Sequence, residues 1–120
     1  WKGMILGQFR AQALQTIISN LVDNALKHTA AGGSVTVELI ASGSSPEIVV
    51  CDTGTGIPEE ILGRIFERFY RVDRDRSRER GGSGLGLAIV KHLCQALGAT
   101  VSVKSNPGHG SEFRVQFLKA

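Results

Sequence analysis

The placement of glycine constrains this chain most. It has 15 glycines in 120 residues, and eight of them stand in three groups: Gly54 and Gly56; Gly81, Gly82, Gly84 and Gly86; Gly108 and Gly110. No Gly-X-Y period accompanies them and proline numbers only 3, which excludes a collagen-like helix. The hydrophobic fraction of 42% is too high for a disordered linker. Glycine grouped in this way marks places where backbone turns tightly or approaches a ligand closely.

Between the glycine groups the apolar pattern defines elements. Leu14, Ile17, Ile18, Leu21, Val22 and Ala25 recur at helical spacing, predicting a helix from Phe9 to about Thr29 that Gly32 and Gly33 end. Met4-Ile5-Leu6 reads as a short strand. Ser34 to Ile40 alternates as a half-buried strand, and Ile48 to Cys51 is a more buried one; the two form a hairpin. Pro58, Glu59 and Glu60 suit a helix start, predicting a helix to about Phe69. Arg71 to Gly82 has no apolar period and reads as a loop. Leu85 to Leu97 is a further helix, stopped by Gly98. Thr100 to Ser105 and Glu112 to Leu118 make a second hairpin around Asn106-Pro107-Gly108-His109-Gly110. The order predicts an α+β fold: a two-layer sandwich whose antiparallel sheet is covered on one face by three helices.

Composition removes several functions. The net charge is +3, and seven of the 14 basic residues lie between Arg64 and Arg80. Glu67, Asp73, Asp75 and Glu79 share that stretch, so it is a mixed-charge segment and no nucleic-acid arm. No apolar run is long enough for a bilayer, and no signal peptide is visible. Cys51 and Cys94 have no metal-ligand spacing and read as buried free thiols of a reducing compartment. The chain begins at Trp1 and its one methionine is Met4, from which we expect a single domain, residues 1–120, excised from a longer protein.

Four places carry chemistry. Asn20, Asn24 and Lys27 fall within an arc of about 60° on the first helix. Asn24 intrudes on the apolar stripe; its amide oxygen suits Mg²⁺ and Lys27 suits a phosphate, although local backbone would equally satisfy the amide. Asp52-Thr53-Gly54-Thr55-Gly56-Ile57-Pro58 puts a carboxylate at a strand end, followed by two glycines. It would favour the exocyclic amine of adenine over the carbonyl of guanine, or serve as an Asx-type turn stabiliser. Gly81-Gly82-Ser83-Gly84-Leu85-Gly86-Leu87 opens a helix, where free amides and the helix dipole bind anions; it has neither the Rossmann spacing nor a Walker A lysine. Gly108-His109-Gly110-Ser111-Glu112-Phe113 is a turn entering a strand with a hydroxyl at its mouth.

In this order the segments NLVDNALKHT, DTGTGIP, IFERFYR, GGSGLGLAIV and GHGSEF resemble the N, G1, F, G2 and last glycine boxes of the sensor histidine kinase catalytic ATP-binding domain. The resemblance spans about Leu14 to Phe117. It implies the Bergerat fold shared with type II topoisomerases, a heat-shock chaperone and mismatch-repair proteins, with a mixed, mostly antiparallel sheet. It also implies ATP and Mg²⁺ as ligands. By position, Asn24 resembles the Mg²⁺ ligand with Asn20 assisting, and Lys27 a phosphate contact. Asp52 resembles the adenine acceptor, with Gly54, Gly56 and Ile57 shaping its pocket. Phe66 and Phe69 resemble the base of a lid from which Arg71 reaches toward the phosphates. Gly82, Gly84 and Gly86 resemble the phosphate-facing hinge, with Leu85 and Leu87 behind it, and Ser111 a hydroxyl near the adenine.

Asn20 stands where the ATPase branches of that superfamily carry a glutamate base. An amide cannot take a proton from water at neutral pH, which favours a kinase over a strong hydrolase. The resemblance implies transfer of the γ-phosphoryl of Mg-ATP to a histidine on the dimerisation domain of the same protein, then to a response regulator. It implies a homodimeric parent anchored in a prokaryotic inner membrane with this domain in the cytoplasm. His28, His92 and His109 lack the setting of a phosphoacceptor. A serine kinase of the anti-sigma type and a non-catalytic nucleotide-binding module are the alternatives.

Overall fold

The computed structural model describes residues 2–41, 45–67, 85–106 and 108–117. Helix α1 spans Lys2–His28 and strands β1 and β2 span Val35–Ile40 and Glu47–Asp52. A 3₁₀ turn at Glu59–Ile61 follows, then α2 at Gly86–Ala96, β3 at Ala99–Asn106 and β4 at Gly110–Phe117. The sheet order is β1-β2-β4-β3, and all three pairings are antiparallel. The fold is therefore α+β, with helices against one face of an open four-stranded sheet.

One layer of side chains joins helices to sheet. Ile17, Leu21 and Ala25 of α1 and Val90 and Cys94 of α2 meet Ile48, Val50, Phe113 and Val115, each at most 5% exposed. The spacing of 4 along α1 puts its three residues on one stripe, and the spacing of 2 along β2 and β4 puts their residues on one face. Glycine at Gly98 ends α2 with φ +71°, a conformation that stops a helix at little cost for a residue without Cβ.

The opposite sheet face is polar. Arg114 bonds Glu47 at 3.1 Å and Glu112 at 3.3 Å. Val49, whose cross-strand partners are Glu38 and Arg114, is nonetheless only 2% exposed, because long charged side chains lay their stems over apolar neighbours. Leu39 on the edge strand β1 is 71% exposed. Leu39→Thr is therefore expected to change unfolding free energy by no more than about 0.5 kcal/mol in urea titrations.

Two expectations about local elements need correction. Met4-Ile5-Leu6 is the first part of α1, not a strand. Three consecutive apolar residues fit either period, and the long helix simply extends through them. Residues 59–67 do not form the α-helix expected from Pro58. Ile61 donates to Pro58, Leu62 to Glu59, Arg64 to Ile61 and Glu67 to Arg64, all three-residue bonds of a 3₁₀ turn and further turns, and Gly63 weakens any helix there. The expected α+β class with an antiparallel sheet covered on one face by helices stands; the described residues contain two α-helices and this 3₁₀ turn.

Both described cysteines are free thiols, but only Cys94 is buried; Cys51 is half-buried on the polar face, 3.8 Å from Glu112. Burial pushes the Cys94 thiol up to about 11, and burial, then Glu112, raises that of Cys51. An unfolded thiol ionises near 9.0. Between these values the unfolded chain has lost a proton that the folded chain keeps, so the Cys94 contribution makes stability fall as pH rises from 9 toward 11. Alkylation of the native protein at pH 8 followed by mass spectrometry is expected to modify Cys51 well before Cys94. Among the described residues, no helix is long and apolar enough to cross a membrane.

Candidate nucleotide site

The apolar, helix-facing side of the sheet ends in a polar rung. Register aligns Asp52 of β2 with Ser111 of β4, and Ser111 with Ser105 of β3. Asp52 is 6% exposed. Its Oδ1 accepts a hydrogen bond from the Gly54 amide at 2.8 Å, and its Oδ2 accepts one from the Ser111 hydroxyl at 2.7 Å. The first bond is the Asx-type turn; the second joins residues 59 positions apart. Together they fix the plane of the carboxylate. A carboxylate has about four acceptor positions, so the turn leaves capacity for a ligand donor.

Backbone contacts tie the loop after Asp52 to two other segments. Thr53 donates to the Ser34 carbonyl at 3.1 Å, and its hydroxyl accepts from the Ser34 amide at 2.9 Å. Thr55 donates to the His28 carbonyl at 3.3 Å, and the Thr55 carbonyl accepts from Gly108 at 2.8 Å. The end of α1, the loop 53–57 and the β3–β4 turn thus form one hydrogen-bonded layer. The spacing D-x-G-x-G has a separate cause at each glycine. A Cβ on Gly54 would collide with the His28 carbonyl, whereas Gly56 adopts φ +76°. Gly110, at φ +108°, lies against the Asp52 carbonyl, where any Cβ would collide as well. Ile57 is 5% exposed beneath the loop.

The other side of the site comes from α1 and α2. Asn20 and Asn24 are half-buried and Lys27 is exposed. The start of α2 crosses α1 at Asn20: a Cβ on Gly86 would stand 3.4 Å from Asn20 Oδ1. The N-cap of α2 is Leu85, whose side chain cannot accept the first helical amides, so the positive end of the helix faces the Asn20 region without a cap from that residue. Leu85 and Leu87 are half-buried, and Leu87 packs on the core. Phe66 meets Phe113 edge-on with ring centroids 6.2 Å apart. Phe69, Arg71, Gly82 and Gly84 lie outside the described residues.

Of the sequence-derived site residues, the structure brings Asp52, Gly54 and Ser111 into direct contact and sets Gly86 against Asn20. Sequence reasoning missed Ser105, although a signal was present. Val101, Val103 and Ser105 share one strand face by period 2, so a serine occupies an inward position where a third apolar residue was due. It also missed the carbonyl of His28, for which a main-chain acceptor leaves no sequence signal.

The profile of the family described as histidine kinase-, DNA gyrase B-, and HSP90-like ATPase matches residues 10–120. The sensor-like histidine kinase SenX3 of Mycobacterium bovis is 48% identical over 100 residues, 83% of this chain and 24% of that protein. The chain thus spans about a quarter of the length of that curated relative. Among solved structures, the mycobacterial sensor histidine kinase MprB superposes with a TM-score of 0.78 at 33% identity, covering 88% of this chain and 72% of that one. Full-length ShkA, solved in complex with AMPPNP, gives a TM-score of 0.74 at 39% identity, covering 90% of this chain and 22% of that one.

Proposed function

This chain belongs to the family of histidine kinase-, DNA gyrase B- and HSP90-like ATPases, and from that membership we propose that it is the ATP-binding catalytic unit of a sensor histidine kinase. The observation that carries the reading is the oriented carboxylate of Asp52. It is buried, held on both oxygens by Gly54 and Ser111, and placed at the mouth of a loop that collapses onto neighbouring backbone. In this reading Asp52 accepts a hydrogen bond from the adenine amine. Gly54, Gly56 and Ile57 form the wall against the base, and Ser111 holds the carboxylate in plane. The names of the relatives and the nucleotide analogue in the ShkA title support it.

The triphosphate then lies toward Asn20, Asn24, Lys27 and the start of α2. The donor chemistry fits Mg²⁺. Two half-buried amide oxygens on one helix face are hard, neutral ligands, and Mg²⁺ is commonly held by few protein groups plus substrate phosphates. Among the described residues, no group of three His, Cys, Asp or Glu side chains could hold a metal ion. Asn24 would hold it, with Asn20 beside it; bound Mg²⁺ supplies neutralisation of phosphate charge. Lys27 and the first amides of α2 hold the same charge from the protein side. Phosphoryl transfer requires mainly positioning and charge neutralisation. Asn20 offers no base to activate water, so the site is suited to hand the phosphoryl group to an aligned acceptor. Phe69, Arg71, Gly82 and Gly84 complete the lid and hinge in this reading.

The whole protein would add a dimerisation domain bearing the acceptor histidine, act as a membrane-anchored homodimer with this unit in the cytoplasm, and pass phosphate to a response regulator. The test has two steps. Calorimetry should show ADP binding to this chain. Incubation with γ-labelled ATP and a histidine-kinase dimerisation domain supplied in trans should then give label that is lost in acid and stable in base. Acid-stable label on a protein serine would instead identify the serine kinase, and nucleotide binding without any label would identify the non-catalytic module.

A further inference from the structure

Ser105 occupies the outer end of the polar rung formed with Ser111 and Asp52. Its hydroxyl accepts a hydrogen bond from the Ile57 amide and donates one to the Gly110 carbonyl at 3.3 Å. Ile57 is 5% exposed, so its amide lies where an unpaired donor is costly. The loop that follows Asp52 is therefore held at both ends. Asp52 binds its first glycine, and Ser105, from a strand that Asp52 does not pair with, binds its last residue before Pro58. Between them Thr55 is held by the His28 carbonyl and by Gly108.

The geometry points to Ser105 as a positioning residue of the base pocket. It sets the depth of the loop 54–57 against Gly110, and hence the distance of the pocket wall from the Asp52 carboxylate. This rests on the reading of that loop as the adenine wall. A hydroxyl can serve as acceptor and donor at once; alanine can do neither, and leaves the Ile57 amide without its partner. Threonine keeps both functions. Ser105 makes no contact with α1 or with the start of α2 through these bonds, so its loss acts on the base end of the site and spares the phosphate end.

The experiment uses this chain, with ADP, adenosine and inorganic tripolyphosphate as probes in calorimetry. Ser105→Ala is expected to weaken ADP and adenosine about tenfold, as loss of a buried amide's partner implies. Tripolyphosphate affinity should stay unchanged, and Ser105→Thr should restore ADP binding to within about twofold. Amide exchange of the unmodified chain without nucleotide should show the Ile57 amide protected, a readout that stands even if the alanine variant fails to fold. ADP affinity unchanged in Ser105→Ala would overturn the inference, as would equal loss of ADP and tripolyphosphate binding, or an Ile57 amide exchanging at the unprotected rate. A wild-type chain that binds no ADP would overturn the adenine reading itself, and the inference with it.

Discussion

Asp52→Asn is expected to weaken ADP binding roughly 10- to 100-fold, the loss of one hydrogen bond to a charged group at a buried site. The substitution retains size and shape. Its amide oxygen can still accept from the Gly54 amide, and the Ser111 hydroxyl can rotate to accept from the new NH₂, so the loop stays in place. What disappears is the negative charge and the acceptor proposed to meet the adenine amine. Discrimination against GDP should shrink as well, because an amide can donate to the guanine carbonyl that the carboxylate repels. Calorimetry with ADP and GDP measures both effects. Unchanged ADP affinity would remove Asp52 from the adenine contact and leave it as a turn stabiliser.

Gly54→Ala is expected to be more damaging still, through backbone instead of charge. A Cβ there meets the carbonyl of His28 and the Asp52 carboxylate. The carbonyl belongs to the last residue of α1 and cannot rotate away. Either the end of the helix or the loop must move, which breaks the bond from Thr55 to His28 and the turn from Gly54 to Asp52. Overpacking of this kind costs about 1–3 kcal/mol, with ADP binding falling below detection. Gly63 provides the control. Nothing lies within 4 Å of a Cβ placed there, so Gly63→Ala should leave ADP affinity unchanged and unfolding free energy equal to or slightly above that of the parent. If both variants bind ADP as the parent does, close approach at Gly54 has no part in shaping the site.

The strands and α2 could be read from the sequence nearly to their ends because residue type marks them directly: alternation in β1, β3 and β4, one apolar run in β2 and a helical period in α2. Val35, Val37 and Leu39 alternate with polar residues, Ile48 to Cys51 is continuous, and Leu85 to Leu97 keeps helical spacing, so in each the local pattern and the element formed agree. The segment after Pro58 departs from this. Ile65 is buried, but turns closed by three-residue bonds place it, and a spacing of apolar residues cannot distinguish those turns from a helix. Met4-Ile5-Leu6 failed for the related reason that three residues do not establish a period.

The same division holds for the candidate site. Asp52, Gly54, Gly110 and the shared helix face of Asn20, Asn24 and Lys27 are candidates on residue type and order: a carboxylate at a strand end, glycine where no side chain fits, two amides and a cation on one helix face. What residue order could not supply is which of them touch. Register decides that Ser111 rather than another hydroxyl reaches Asp52, and helix crossing decides that Gly86 lies over Asn20. Ser105 becomes a partner of Ile57 only after β3 has paired with β4. These are contacts between segments tens of residues apart. Local propensity sets each segment's own shape, but their joining depends on the packing of the shared core, which exists only in the folded chain.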